Sequence, residues 1–144
     1  MDIGIRQAAP DDLDAVRNLL TTAGLPTAGV EQHFRTFLVA EQHREIVGAI
    51  GLEVYDDTAL LRSAVVAPGH QRTGVGSRLC HDLLGRAQQL GVHRLILLTN
   101  TAEDYFARKG FVRIDQKSVT GPVTTSVEFS GACPAHAACM ELIV

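Results

Sequence analysis

The sequence predicts a single mixed α/β domain, and three observations predict it. Strand-patterned and helix-patterned segments alternate along the whole chain with no linker, repeat or low-complexity stretch between them. Two of the strand-like segments, 60–67 and 95–98, carry few charges, as strands covered on both faces do. At 144 residues the chain can bury roughly 70% of its unfolded surface in one core without disulfide or metal staples.

Each element follows from local pattern. Residues 3–8 read as a short first strand, and Pro10, Asp11 and Asp12 supply a turn and N-cap for a helix carrying Leu13, Val16, Leu19 and Leu20. Gly24 and Pro26 end that helix, and a second short helix is expected over 30–35. Strands over 37–41 and 46–55 flank a turn at His43-Arg44, and Asp56-Asp57 turns the chain into the strand 60–67, which Pro68-Gly69 ends. From 75 to 90, Val75, Leu79, Leu83, Leu84, Ala87 and Leu90 fall on one face of a long helix that Gly91 caps. A buried strand over 95–98 follows, then a helix over 102–109 capped at Gly110 and a strand over 111–115. A helical turn over 122–126 and a final strand over 139–144 complete the chain.

Charge and composition exclude several classes of partner. The net charge of −3 provides no positive field to gather nucleic acid or an anionic membrane, so any anion must be bound locally. No basic segment followed by an apolar run opens the chain, and no apolar stretch reaches the ~20 residues a membrane span needs, which predicts a soluble cytoplasmic protein. Cys80, Cys133 and Cys139 form an odd set, suited to free thiols in a reducing compartment.

The strongest local signal is a buried strand, then Gln71-Arg72-Thr73-Gly74-Val75-Gly76-Ser77, then the long helix. Backbone N–H groups left unpaired at a helix N-terminus point together, the helix dipole adds positive charge, and glycines let a pyrophosphate approach the backbone. A P-loop would end in Gly-Lys-Ser or Gly-Lys-Thr, and the dinucleotide fingerprint needs a third glycine where Leu79 stands; residue identity excludes both. A bare tight turn at Gly74 and Gly76 stays open on this loop alone.

Val65-Val66-Ala67-Pro68 followed by Gln71-Arg72-Thr73-Gly74-Val75-Gly76 resembles the acetyl-CoA motif Q/R-x-x-G-x-G/A of the GCN5-related N-acetyltransferases. Tyr105-Phe106-Ala107-Arg108-Lys109-Gly110-Phe111 is similar to that superfamily's second signature, F-Y-x-x-x-G-F. The resemblance implies a strongly bent mixed sheet of about six to seven strands, splayed at its centre between 60–67 and 95–98 and flanked by helices. It also implies acetyl-CoA as cosubstrate without a metal, the pantetheine arm lying along Ala64, Val65 and Val66, and further cofactor contacts at Thr99, Asn100 and Phe106. Ala23-Gly24-Leu25-Pro26, Leu61-Arg62-Ser63, Leu98-Thr99-Asn100-Thr101-Ala102 and Ser126-Val127-Glu128-Phe129 resemble one subgroup, the acetyltransferases encoded with arsenic-resistance genes. The activity implied is acetylation of a small amine, an amino acid or amino-acid-like toxin. A CoA-binding module without turnover and a protein or peptide acetyltransferase stand as alternatives, and a homodimer is compatible with each.

Acetyl transfer needs a neutral amine beside the thioester, a donor for the developing oxyanion and an outlet for the thiolate. The resemblance places the family's thiolate-protonating tyrosine at Phe106, and Tyr105, turned away from that position by roughly 100 degrees of helix, reads as a core aromatic. The general-base glutamate of the histone-modifying branch falls near Leu60, so Glu53 is the candidate base, against a solvent-facing strand glutamate, and water or Tyr55 is the candidate acid. Arg62, in an apolar strand and on the face of Val66, is a candidate for holding an acceptor carboxylate, against a structural pair with Glu53 or Glu128. Cys133, His136 and Cys139 lack the fourth ligand of a structural zinc site. His33 and His81 are open to a proton-carrying role but read more readily as surface or edge residues, and Arg108, Lys109 and Arg113 fit CoA-phosphate contacts and a solvated helix end equally well.

Overall fold

The computed structural model describes residues 3–132 and 137–144. In chain order the elements are β1 (Gly4–Gln7), α1 (Leu13–Thr22), β2 (Phe37–Gln42), β3 (Glu45–Tyr55), β4 (Thr58–Val66), α2 (Val75–Gln89), β5 (Arg94–Thr99), α3 (Glu103–Arg108), β6 (Val112–Ile114) and β7 (Ala138–Ile143). The strands form one seven-stranded sheet in the order β1-β2-β3-β4-β5-β7-β6. This is the mixed α/β architecture the sequence predicts.

Local chemistry sets the hairpins. His43 and Arg44 both adopt positive φ, 51° and 65°, as a two-residue connection matched to strand twist requires, and Gln42 pairs directly with Glu45. Pro10–Asp12 and Glu31–Thr36 are 3-10 rather than α-helical, because neither segment carries an apolar stripe long enough to anchor a full helix. Asp12 does not cap α1 as expected. Its carboxylate accepts the Ala9 N–H at 2.7 Å and pairs with Arg6 at 2.8 Å, closing the preceding turn instead.

Helices cover both faces of the sheet. Val75, Leu79, Cys80, Leu83 and Ala87 of α2 pack on Leu38, Ile50, Leu52 and Leu61, while Val16 and Leu20 of α1 pack on the other face against Phe37, Val39, Ala49 and Val65. Leu90, placed on the core face by its spacing, is 42% exposed because α2 has already ended and Gly91, at φ 80°, redirects the chain. Gly51 is needed for packing: a Cβ there would lie 2.2 Å from the Phe37 ring.

Two irregularities position the site. All neighbouring strands are antiparallel except β4 and β5, whose parallel pairing consists of Thr58↔Arg94, Ala59↔Leu95 and Leu60↔Ile96. Beyond Leu60 and Ile96 the two strands diverge into a seam. The second irregularity is a bulge in β4, where the register steps from Gly51↔Arg62 to Ala49↔Val65 with Ser63 at φ 60°. The extra residue reverses the alternation, so Leu61 and Val66 face α2 while Val65 faces α1. Arg62 therefore shares a face with Val65, not with Val66 as unbroken alternation predicts.

Candidate active site

The loop after β4 is shaped by two left-handed residues, Arg72 at φ 66° and Gly74 at φ 87°, the latter being the N-cap of α2. The first backbone bond into Gly74's carbonyl comes from Arg78, which leaves the N–H groups of Val75, Gly76 and Ser77 without intrahelical partners. Thr73 donates its hydroxyl to the His70 carbonyl at 2.5 Å, and Gln71 donates its amide to the Val66 carbonyl at 3.2 Å, tying the loop to the end of β4. A Cβ on Gly76 would stand 3.5 Å from Tyr105 Oη and 3.6 Å from Val66 Cγ2, so the missing side chain keeps this passage open.

A cavity of about 270 Å³ is lined there by Gln71, Arg72, Gly74, Gly76 and Ser77 of the loop and helix, Ala64, Val65 and Val66 of β4, and Tyr105 and Phe106 of α3. A second cavity, of about 340 Å³, occupies the seam between Arg62, Ser63 and Ala64 on one side and Leu97, Leu98, Thr99 and Asn100 on the other. Ala64, Val65, Val66, Gln71 and Phe106 line both, making one groove from the N-terminus of α2 into the split sheet. Two of the expected cofactor residues are oriented otherwise. Val75 is buried in the core beside α2's other apolar residues, and the Thr73 hydroxyl is committed to His70, so each offers the groove its backbone alone. The Thr99 hydroxyl oxygen accepts the Ala102 N–H at 3.0 Å, fixing the start of α3 at the seam's edge.

The groove fits a long, bent anion with an amide-bearing arm. Its outer end offers unpaired N–H groups at the positive pole of α2, and its inner end offers strand edges that have parted from each other. This is the shape and donor set CoA requires.

Beneath the seam, on the face away from α2, the structure brings Glu53, Tyr55 and Arg62 together. Arg62 Nη1 donates to Glu53 Oε2 at 2.6 Å, and the Tyr55 hydroxyl donates to Glu53 Oε1 at 2.5 Å. Arg62 Nε donates to Ser63 Oγ at 3.0 Å and lies 3.5 Å from Glu128 Oε2, while Nη2 reaches the Pro26 carbonyl at 3.4 Å. His33 Nε2 stands 3.6 Å from Glu53 Oε1. The Glu53 side chain is 1% exposed and that of His33 29%, so the imidazole joins the buried carboxylate to the surface. Gly29 closes over the pair, since a Cβ at its φ of 83° would come within 2.8 Å of Arg62 Nη1.

Burial alone would raise the Glu53 pKa, but hydrogen bonds from Tyr55, Arg62 and Ser126 together with the charge of His33 outweigh it and hold the carboxyl below its usual range. Burial and the bond to Glu53 push Tyr55 up to about 12. Glu53 is neither a solvent-facing strand residue nor part of the groove wall; Arg62, which lines the seam, is its link to the groove. The structural pair foreseen for Arg62 is present, and the same side chain also borders the seam. His33, Ser126 and the Pro26 carbonyl were not foreseen as partners. The one available signal was the demand of two charges in apolar strands for company.

Phe106 is buried, with its ring edge-on to Tyr105 at 5.2 Å and to Phe111 at 5.6 Å, and Leu60 is fully buried in an apolar cluster with Ile96, Val119 and Val123. Neither position offers a proton-carrying group. Lys109 donates to Ser77 Oγ at 2.8 Å at the first turn of α2. Cys139 is buried, and burial pushes its thiol up to about 11. Cys133 and His136 lie outside the described residues, and among the described residues no group of three or more His, Cys, Asp or Glu is placed to hold a metal.

Comparison with known proteins agrees with this geometry. Residues 9–111 match the Acetyltransferase (GNAT) family. An amino-acid acetyltransferase of Mycobacterium tuberculosis is 30% identical over 129 residues, 83% of this chain and 74% of its own. An amino-acid acetyltransferase of Ralstonia nicotianae is 31% identical over 117 residues, 75% of this chain; the match spans about a quarter of that relative, 26% of its length. N-acetylglutamate synthase from Neisseria gonorrhoeae, solved with coenzyme A and N-acetyl-glutamate, superposes with a TM-score of 0.84 at 21% identity, over 98% of this chain and 35% of that one. Rv2747 from Mycobacterium tuberculosis, solved in complex with CoA, superposes with a TM-score of 0.83 at 24% identity, over 98% and 99% of the two chains. With the split sheet, the loop before α2 and the matched residues all in accord, this chain belongs to the GNAT acetyltransferase family.

Proposed function

We propose that the protein transfers the acetyl group of acetyl-CoA to the amine of a small amino acid or amino-acid-like toxin. The observation that carries this is the continuous groove from the unpaired N–H groups of α2 to the seam, ending on Arg62 and the carboxylates behind it. Relatives named amino-acid acetyltransferases, and a fold neighbour solved with N-acetyl-glutamate, support the acceptor class. The resemblance to acetyltransferases encoded with arsenic-resistance genes supports a detoxifying role in the cytoplasm.

When bound, acetyl-CoA supplies an acetyl thioester whose C–S bond breaks as the new C–N bond forms, the thiolate leaving with a proton lost by the amine. The backbone N–H groups of Val75, Gly76 and Ser77 hold the pyrophosphate, and Ala64, Val65 and Val66 guide the arm along the seam. Arg62, fixed from behind by Glu53, turns its remaining N–H groups to an acceptor carboxylate. Glu53 stands behind Arg62, outside the groove wall, and with Tyr55 bonded to it at 2.5 Å it positions that guanidinium rather than receiving the amine's proton. A CoA thiol near pKa ~8.5 is a tolerable leaving group without a dedicated acid, consistent with Phe106 at the family's tyrosine position.

That phenylalanine is also what favours a second reading, a CoA-binding module without turnover. Release of free CoA from acetyl-CoA, measured with a panel of free amino acids, separates the two. Turnover with at least one amino acid is expected; binding of CoA with no release across the panel would establish the module instead.

A further inference from the structure

Two buried side-chain polar atoms have no hydrogen-bond partner among the described residues, Tyr105 Oη and His70 Nδ1, and both residues line the same cavity beside the loop and α2. The His70 ring is fixed through its other nitrogen, 2.7 Å from Gln42 Oε1. Tyr105 is held by its ring, edge-on to Phe106 at 5.2 Å and beneath Lys109 Nζ at 5.3 Å from its centroid. Its hydroxyl abuts the first turn of α2, where a Cβ on Gly76 would stand 3.5 Å away. A buried hydroxyl without a partner is costly, and phenylalanine would pack the ring equally well, so packing does not account for the oxygen. What the position lacks is an acceptor. The anion that the unpaired N–H groups of Val75, Gly76 and Ser77 are built to receive supplies one, and the Lys109 ammonium, 2.8 Å from Ser77 Oγ, adds positive charge to the same turn.

We propose that the Tyr105 hydroxyl donates a hydrogen bond to a phosphate oxygen of bound CoA, making Tyr105 a cofactor-positioning residue at the pyrophosphate end of the groove. The sequence reading of Tyr105 as a core aromatic describes its ring and leaves out its oxygen. The inference rests on the CoA reading above and adds one named donor to it.

Calorimetric titration of Tyr105→Phe and the unchanged protein with CoA, and with adenosine 3′-phosphate 5′-diphosphate, tests it; the second ligand keeps the pyrophosphate and lacks the pantetheine arm. Expected is a Kd raised by about tenfold for both ligands in the variant, as loss of a charge-assisted bond gives. Thermal melting without ligand should show the variant no less stable than the unchanged protein, because the deleted hydroxyl had no partner to lose. An unchanged Kd for CoA overturns the proposal, as does a weakened Kd for CoA with the pyrophosphate ligand unaffected. A lowered melting temperature without ligand also overturns it, by showing that the hydroxyl already has a structural partner. If the unchanged protein binds no CoA, the cofactor reading itself fails.

Discussion

At the scale of single residues, Glu53 and Arg62 illustrate how a site can be half legible. Two charges within mainly apolar stretches of their strands signal a need for partners, and the 2.6 Å pair meets it. Glu128 was named as a possible partner, whereas His33 and Ser126 arrive from a short 3-10 helix and a bend whose three-dimensional course no local pattern encodes. The bulge at Ser63 was equally silent, because a serine at positive φ carries no sequence mark, and it alone decides which face Arg62 takes. Arg62→Met should destabilise the fold by about 3–5 kcal/mol at neutral pH, since it leaves a buried carboxylate without its cation; urea unfolding measures this. The pair's contribution has a defined pH dependence. Glu53 is held below its ordinary value, so the stability it adds is full above the unfolded carboxyl pKa of about 4.3 and is lost as pH falls through the lower folded value. The stability gap between the unchanged protein and Glu53→Gln should therefore be constant from about pH 7 to pH 5 and shrink below about pH 4. A gap that widened on acidification would contradict the assigned direction.

At the scale of elements, α2 was legible almost throughout, because five buried positions at helical spacing leave little choice of face. The segment Glu31–Thr36 was less so, having Phe34 as its one buried side chain and no repeat to fix its pitch. The loop before α2 showed its glycines in the sequence, yet the left-handed Arg72 had no signature. Gly76 offers a test at this scale. In Gly76→Val the added methyls would enter the passage between Val66 and Tyr105, and CoA affinity should fall at least tenfold while unfolding changes by about 1 kcal/mol or less. Gly51→Ala should behave oppositely. Its Cβ collides with Phe37, costing about 1–3 kcal/mol of overpacking, with CoA affinity of the folded fraction unchanged.

At the scale of the whole molecule, the alternation of strands and helices gave the mixed sheet, but the splay came only from a resemblance between loops. Nothing in the apolar runs of β4 and β5 states that their pairing stops after Leu60 and Ile96. A ligand that bridges the split ties its two sides together, so CoA should stabilise the molecule as a unit. At a hundredfold excess over Kd, linkage adds about 2.7 kcal/mol, which for a domain of this size is a rise of roughly 5–10 °C in Tm. Scanning calorimetry with and without CoA checks this.

The parting of β4 from β5 also sets a clock that can be read in deuterated water. A strand turns successive N–H groups to alternate neighbours, and β4 has kept its β3 neighbour while losing the other from Leu61 onward. Within an otherwise slowly exchanging sheet, amides of 61–66 that point into the seam should trade their protons fastest, and those bonded to β3 should lag. Filling the groove would silence this rapid minority first, giving an atom-by-atom report of where the arm lies.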